Sequence, residues 1–234
     1  MEFEANVVTI QLLKFVDVER QPAAREGTHL GLAVTRWEHH NGQVLLSIGT
    51  SEAGRISKRY RPEWTIAETP SRVLKPTGED SFFAETLSTD RTMRTCLTLR
   101  PAQAVDDHWP YQKIVTLVEI GEGLNGYPNI IHGGMAATLL DEVSGVLLQI
   151  NTAAQLERMK RQNPSGSHVQ PSYFTAYLNT SYRLPVPTPG VILCTAKLER
   201  TEGRKVWLRA TIEDGAGTVF TVGECMFLEM KNKL

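Results

Sequence analysis

Cysteine is scarce and charge is balanced, and each shortage narrows what the chain can be. The three cysteines, Cys96, Cys194 and Cys225, lie far apart and form no CxxC or Cys/His ligand spacing. That argues against a disulfide framework or a zinc site and fits a reducing compartment. A net charge of −1 over 234 residues argues against a protein whose main partner is a nucleic-acid backbone. No apolar stretch approaches the roughly 20 residues needed to span a bilayer. The opening "MEFEANVVTI" is acidic where a secretory signal would be basic, and it lacks the Arg/Ser bias of a transit peptide. The expectation is a cytoplasmic protein with no membrane span, no metal and no cofactor.

What is present suits a globular domain. Hydrophobic residues make up 41% and charged residues 22%, enough for a sizeable core. The last third reads as an antiparallel meander: 190–200, 204–214 and 217–230 are rich in β-branched and aromatic residues and are separated by "TEG" and "DGAG". Residues 172–184 form another strand, closed by "PVPTPG", and 91–101 and 111–121 are two more. Residues 133–150 carry a strong long-helix pattern, the start of 151–171 could extend it, and "NPSGS" must break it. One long helix with five or six strands points to an α+β fold. In residues 1–80 the stretch 28–52 reads as two strands around an Asn41-Gly42 turn, and 68–80 as a linker. That region shows no repeat and no chemistry-bearing motif.

The chemistry concentrates in "NIIHGGMAATLLDEVSG", residues 129–145. At about 100° per residue, Ala136, Leu139, Leu140, Val143, Leu147 and Ile150 share one face, fit to bury against a sheet. Glu142 falls with Thr138, Gly145 and Gln149 on the polar side, where it would be a solvated or interface charge. Asp141 falls on the flank beside Ala137, Ser144 and Leu148. Apolar surroundings disfavour a carboxylate's charged form and tend to raise its pKa towards a useful general-base value. The helix pattern alone does not decide between that role and a plain surface aspartate. Gly133 and Gly134 either expose helix N-terminal N–H groups to a developing oxyanion or make room for close packing. Asp141 lies more than two turns beyond Gly133, on the order of 12–13 Å at about 1.5 Å per residue, too far for both to touch one atom. Either a substrate lies along the helix, or two copies of the chain supply complementary parts of each site.

"HGGMAATLLDEVSG" followed by "FTAYLNTSYRLPVPTPG" resembles the hotdog-fold thioesterases, specifically the PaaI-like acyl-CoA thioesterase branch, over roughly residues 82–230. The pattern is most similar to fungal members. The resemblance implies a long central helix wrapped by a curved antiparallel sheet, with residues 1–80 as an N-terminal extension and 81–234 as the hotdog domain. It implies a homodimer or a dimer of dimers, with active sites at the dimer interface.

Carried over by position, Asp141 matches the carboxylate that activates water or attacks the thioester carbonyl. Gly133 matches the backbone N–H that polarises the carbonyl from the partner subunit, and Thr175 a hydroxyl that orients water. Asn125 and Asn129 compete for the position contacting the thioester, Asn125 within the catalytic set and Asn129 on the substrate side. His132, Gly134 and Glu142 complete the substrate-binding set; His132 shapes the loop, and Glu142 is a minor rival to Asp141. The implied activity is hydrolysis of an acyl-CoA or related acyl thioester to acid and thiol. Its alternatives are release or dehydration of a carrier-bound or specialised-metabolite thioester, or a non-catalytic acyl-CoA-binding protein. No Asp/His pair of the dehydratase kind is evident. Basic residues in "ERMKRQ" and "ERTEGRK" could meet CoA phosphates or be plain surface charge. The segment 151–171 and the first 80 residues could cap the acyl pocket.

Overall fold

The computed structural model describes residues 64–230, together with the backbone of two strands further upstream. Those strands, β1 (Leu32–His40) and β2 (Gln43–Thr50), pair antiparallel as a two-stranded sheet. The expected Asn41-Gly42 turn between them lies outside the described residues.

The main sheet has seven strands, every neighbouring pair antiparallel. They are β3 (Trp64–Ala67), β4 (Met93–Pro101), β5 (Lys113–Ile120), β8 (Tyr173–Tyr182), β9 (Gly190–Glu202), β10 (Lys205–Glu213) and β11 (Val219–Glu229). Their order across the sheet is β3-β4-β5-β9-β10-β11-β8. A small hairpin, β6 (Asn125–Tyr127) with β7 (Ile130–Ile131), leads into the long helix α1 (Gly133–Gln162). The helix lies on one face of the sheet against β5 and β8–β11, which is the hotdog arrangement.

The apolar helix face expected from the sequence is the one that packs. Leu139 and Leu140 are fully buried, Ala136, Val143 and Leu147 nearly so, and Ile150 sits at the margin. Each fully buried leucine contributes roughly 1.5–3 kcal/mol. Helix and sheet approach closely at Gly223 on β11, where a Cβ would lie 3.2 Å from Leu140 and 3.0 Å from Leu178.

The helix runs on to Gln162, beyond the strong pattern of 133–150, and stops where "NPSGS" begins. Its extra turns are fastened to the β4–β5 loop. The buried Asn151 amide donates to the Tyr111 carbonyl at 2.8 Å and its Oδ1 accepts from the Tyr111 N–H at 2.9 Å. Gln155 donates to the His108 carbonyl, and Arg158 pairs with Asp107 at 2.9 Å.

The main sheet reaches back across residue 80. Strand β3 pairs with β4, and a strap of residues 69–87 crosses from it over the side of α1. The strap contains a 3₁₀ turn, Pro70–Arg72, and a π-helical turn, Phe82–Thr86. Its organiser is the Arg72 guanidinium, which donates to the Phe83 carbonyl (2.8 Å), the Ser88 hydroxyl (3.1 Å) and the Met93 carbonyl (3.2 Å). Phe83 and Leu87 are buried beneath it.

Candidate active site

Three stretches of chain meet at the N-terminal half of α1: the β6–β7 hairpin, the first turns of the helix and the edge strand β8. The hairpin turns tightly at Asn129, whose φ of 59° is left-handed, a conformation asparagine tolerates better than most residues. The Asn129 carbonyl accepts from the Thr188 N–H at 3.0 Å, and Asn125 Oδ1 accepts from the Thr188 hydroxyl. Both asparagines therefore tie the hairpin to the β8–β9 connection, and the Asn125 amide nitrogen remains as its donor. Gly126 lets the hairpin lie against the helix start, because a Cβ there would come within 2.9 Å of the His132 Cα.

His132 is the N-cap of α1. Its Nδ1 accepts from the Gly134 N–H at 3.0 Å, which satisfies one of the unpaired donors of the first turn. The Gly133 N–H has no partner among the described residues, while the Gly133 carbonyl accepts from the Tyr182 hydroxyl at 3.0 Å. A Cβ on Gly133 would meet the Tyr182 ring at 3.5 Å, an ordinary contact. Packing among the described residues therefore does not require glycine at 133.

Asp141 is half-buried and accepts from the Thr175 hydroxyl at 2.9 Å. Burial pushes its carboxyl above the usual range, and the Thr175 hydrogen bond pulls it back part of the way. Thr175 reaches the helix only because of a bulge. On β8, Tyr177 is opposite Met226 and Thr175 opposite Phe227, so Ala176 is the extra residue. Tyr177 accepts from the Trp207 Nε1 at 3.2 Å on the outer face of the sheet. Strict alternation would put Thr175, two residues away, on that same face. The bulge turns it to the inner face instead.

Glu142 departs from the helical-wheel expectation of a solvated polar side. It is largely buried under the strap, where it accepts from the hydroxyl of Ser71, itself 3% exposed. The wheel gave its direction correctly, but a neighbouring segment covers that side. Burial pushes the Glu142 carboxyl up to about 7, against the lowering pull of Ser71.

The structure thus brings Asp141 and Thr175 together, and groups Asn125, Asn129, His132, Gly133 and Gly134 around the helix start. Within one chain it keeps these two clusters apart along α1. Several of the basic candidates for CoA phosphates have local partners: Arg158 with Asp107, Lys160 with Glu157 at 2.9 Å, and Arg200 stacked 3.8 Å over the Trp207 ring. Among the described residues no cluster of His, Cys, Asp and Glu is placed to hold a metal ion, and no helix is long and apolar enough to cross a membrane. The three cysteines are unpaired, with Cys194 and Cys225 buried. Sequence reasoning missed Ser71 and Arg72; their only signal was a Pro-flanked Ser-Arg in a stretch read as linker.

The thioesterase superfamily model matches residues 128–221, from the β6–β7 turn into β11. Verlamelin biosynthesis protein B of a Lecanicillium species is 31% identical over 167 residues, covering 65% of this chain and 67% of that protein. The mouse acyl-coenzyme A thioesterase THEM4 is 28% identical over 120 residues, covering 51% of this chain and 44% of that one. The chain thus spans less than half the length of the mouse relative. Among solved structures, zebra fish thioesterase superfamily member 2 overlaps with a TM-score of 0.42 at 18% identity, covering 58% of this chain and 81% of that one. With a matching family model over the helix and the strands around it, and a relative of this identity and coverage, the chain belongs to the thioesterase superfamily.

Proposed function

We propose that the protein hydrolyses an acyl thioester, acyl-CoA in the first instance, with Asp141 activating water at a site shared between two copies of the chain. The observation that carries this reading is the Asp141–Thr175 hydrogen bond beside the sheet edge. A half-buried carboxylate with a raised pKa is a competent base near neutrality, and the hydroxyl fixes its orientation. Asp141 takes a proton from water as the oxygen attacks the thioester carbon. The C–S bond then breaks, and the thiolate leaves with that proton. The unpaired Gly133 N–H, at the positive end of α1, is the donor for the developing oxyanion, with the Asn125 amide nearby to bind the thioester.

The separation of Asp141 from Gly133 supports a paired arrangement, in which two antiparallel helices bring Asp141 of one chain to Gly133 of the other. Strand β8, last in the sheet and lined by the exposed Phe174, Tyr177 and Tyr182, is the edge on which such a pair would form. A subunit-mixing experiment tests both points. Asp141→Asn and Gly133→Val are each expected to be inactive alone. Co-expressed, they form mixed dimers with one intact site, and acyl-CoA hydrolysis returns. Failure to recover activity despite proven mixed dimers would place both groups in one chain's site and reject the shared arrangement.

A second reading concerns the thiol. The Lecanicillium relative is named for the biosynthesis of verlamelin, which favours a specialised-metabolite thioester, with the acyl group on a carrier, as the natural substrate. Comparison of kcat/KM for the same acyl group on CoA and on a carrier-protein phosphopantetheine decides between them.

A further inference from the structure

Glu142 anchors a part of the chain that the proposed chemistry does not use. Its carboxyl faces a niche between α1, β4, β5 and the strap, walled by Leu139, Val143, Met93 and Phe83. Hydroxyls line the same niche: the half-buried Thr69 donates to the buried Thr98 at 3.0 Å, and Thr98 contacts the buried Thr116 at 3.1 Å. The space left holds no more than about one water molecule.

Among the described residues, the charged and titratable groups facing Glu142 are Asp141 on its own helix, Arg72 and Asp80 on the strap, and Cys96 on β4. None offers it a counterion within ion-pair reach. Arg72 is engaged by three acceptors of the strap and β4, and Asp80 is itself held by Lys75 at 2.5 Å. Burial pushes the Cys96 thiol up to about 12, so it stays uncharged. A negative charge on Glu142 therefore sits among apolar walls and two further carboxylates with almost no water, which the Arg72 charge and the Ser71 hydrogen bond offset only in part. It is better accommodated when the strap lifts and water enters.

We propose that the strap is a proton-dependent cover seated on Glu142, closed while the carboxyl is neutral and loosened when it ionises, and that Glu142 is thereby a positioning residue for the helix turn carrying Asp141. The link is short: Leu139 and Val143, on either side of the two carboxylates, form part of the niche wall, so loosening the strap releases that turn. The positioning role rests on the hydrolase reading above, whereas the cover does not.

Hydrogen–deuterium exchange on the full chain tests the cover. Peptides from residues 69–92 are followed from about pH 6 to about pH 8.5, corrected for intrinsic exchange, with the β9–β10 hairpin as internal reference. Wild-type strap protection is expected to fall by about tenfold relative to the reference, and Glu142→Gln to show no such fall. Ser71→Ala removes a hydrogen bond that favours the ionised form, so the midpoint should move to higher pH. Strap exchange independent of pH in the wild type, or equally pH-dependent in Glu142→Gln, overturns the cover.

The rate tests the positioning role. With an acyl-CoA that is turned over, kcat should decline through the same range in the wild type and stay level in Glu142→Gln. A decline that persists in the variant removes that role. Absence of turnover in both proteins defeats the hydrolase reading, and the exchange data then decide the cover on their own.

Discussion

Asp141 and Glu142 are consecutive residues that fasten one turn of α1 towards opposite ends of the sheet. Asp141 is bonded to Thr175 on β8, the last strand, and Glu142 to Ser71 in the strap beside β3 and β4. Neighbours on a helix diverge by about 100°, so adjacency in sequence here means separation in space. The two carboxylates should accordingly differ in every assay that separates chemistry from folding.

Asp141→Asn is expected to lower kcat for acyl-CoA by about 10²–10⁴-fold, the usual contribution of a positioned general base. Its thermal stability should be equal to or above that of the wild type, because a half-buried charge is removed. Thiol release and thermal denaturation measured on one preparation check both halves. Retained turnover would shift attention from Asp141 to Glu142.

Thr175→Ala should move the acid limb of the kcat/KM profile to higher pH. The Thr175 hydrogen bond favours ionised Asp141, and without it burial acts unopposed. A pH–rate series on the variant, compared with Thr175→Ser, reads the direction. Serine should restore the wild-type limb.

Glu142 makes stability depend on pH with a definite sign. Its carboxyl is raised from the ordinary 4.5 to about 7 in the folded chain. Its contribution is therefore fully present below about 4.5 and lost as pH rises through about 7. The loss is on the order of 3 kcal/mol at most. Urea denaturation at about pH 5 and about pH 8 should show this difference in the wild type relative to Glu142→Gln.

Two glycines should separate packing from function. Gly223→Ala places a Cβ 3.0–3.2 Å from Leu178 and Leu140, and overpacking of this kind costs about 1–3 kcal/mol. Gly133→Ala meets only an ordinary contact with Tyr182, so the fold should be nearly unaffected while turnover falls. Paired measurements of melting temperature and kcat on the two variants check this.

The parts of this fold that follow from local periodicity were legible in the sequence. The strands at 93–101, 113–120 and 173–229 and the apolar helix face carry their pattern within a few residues, and the structure follows it. The four-residue β3 was not legible, because "WTIA" sits among Pro and charged residues and acquires its partner only through β4. Nor was the cover on Glu142, since a helical wheel gives the direction of a side chain and not what a distant segment lays over it. Asp141 stood out on the flank of the helix, but Thr175 did so only through family resemblance. Strict alternation with Tyr177 would have turned it outwards.

That last point has a consequence for how the pair is inherited. Which side of the sheet the Thr175 hydroxyl faces is decided by arithmetic, one residue more on β8 than on β11, rather than by the chemistry of any side chain. Deleting Ala176 would leave every functional group in the chain intact and still part Asp141 from its hydroxyl. In this corner of the molecule a change in chain length is a more drastic mutation than a change in residue type.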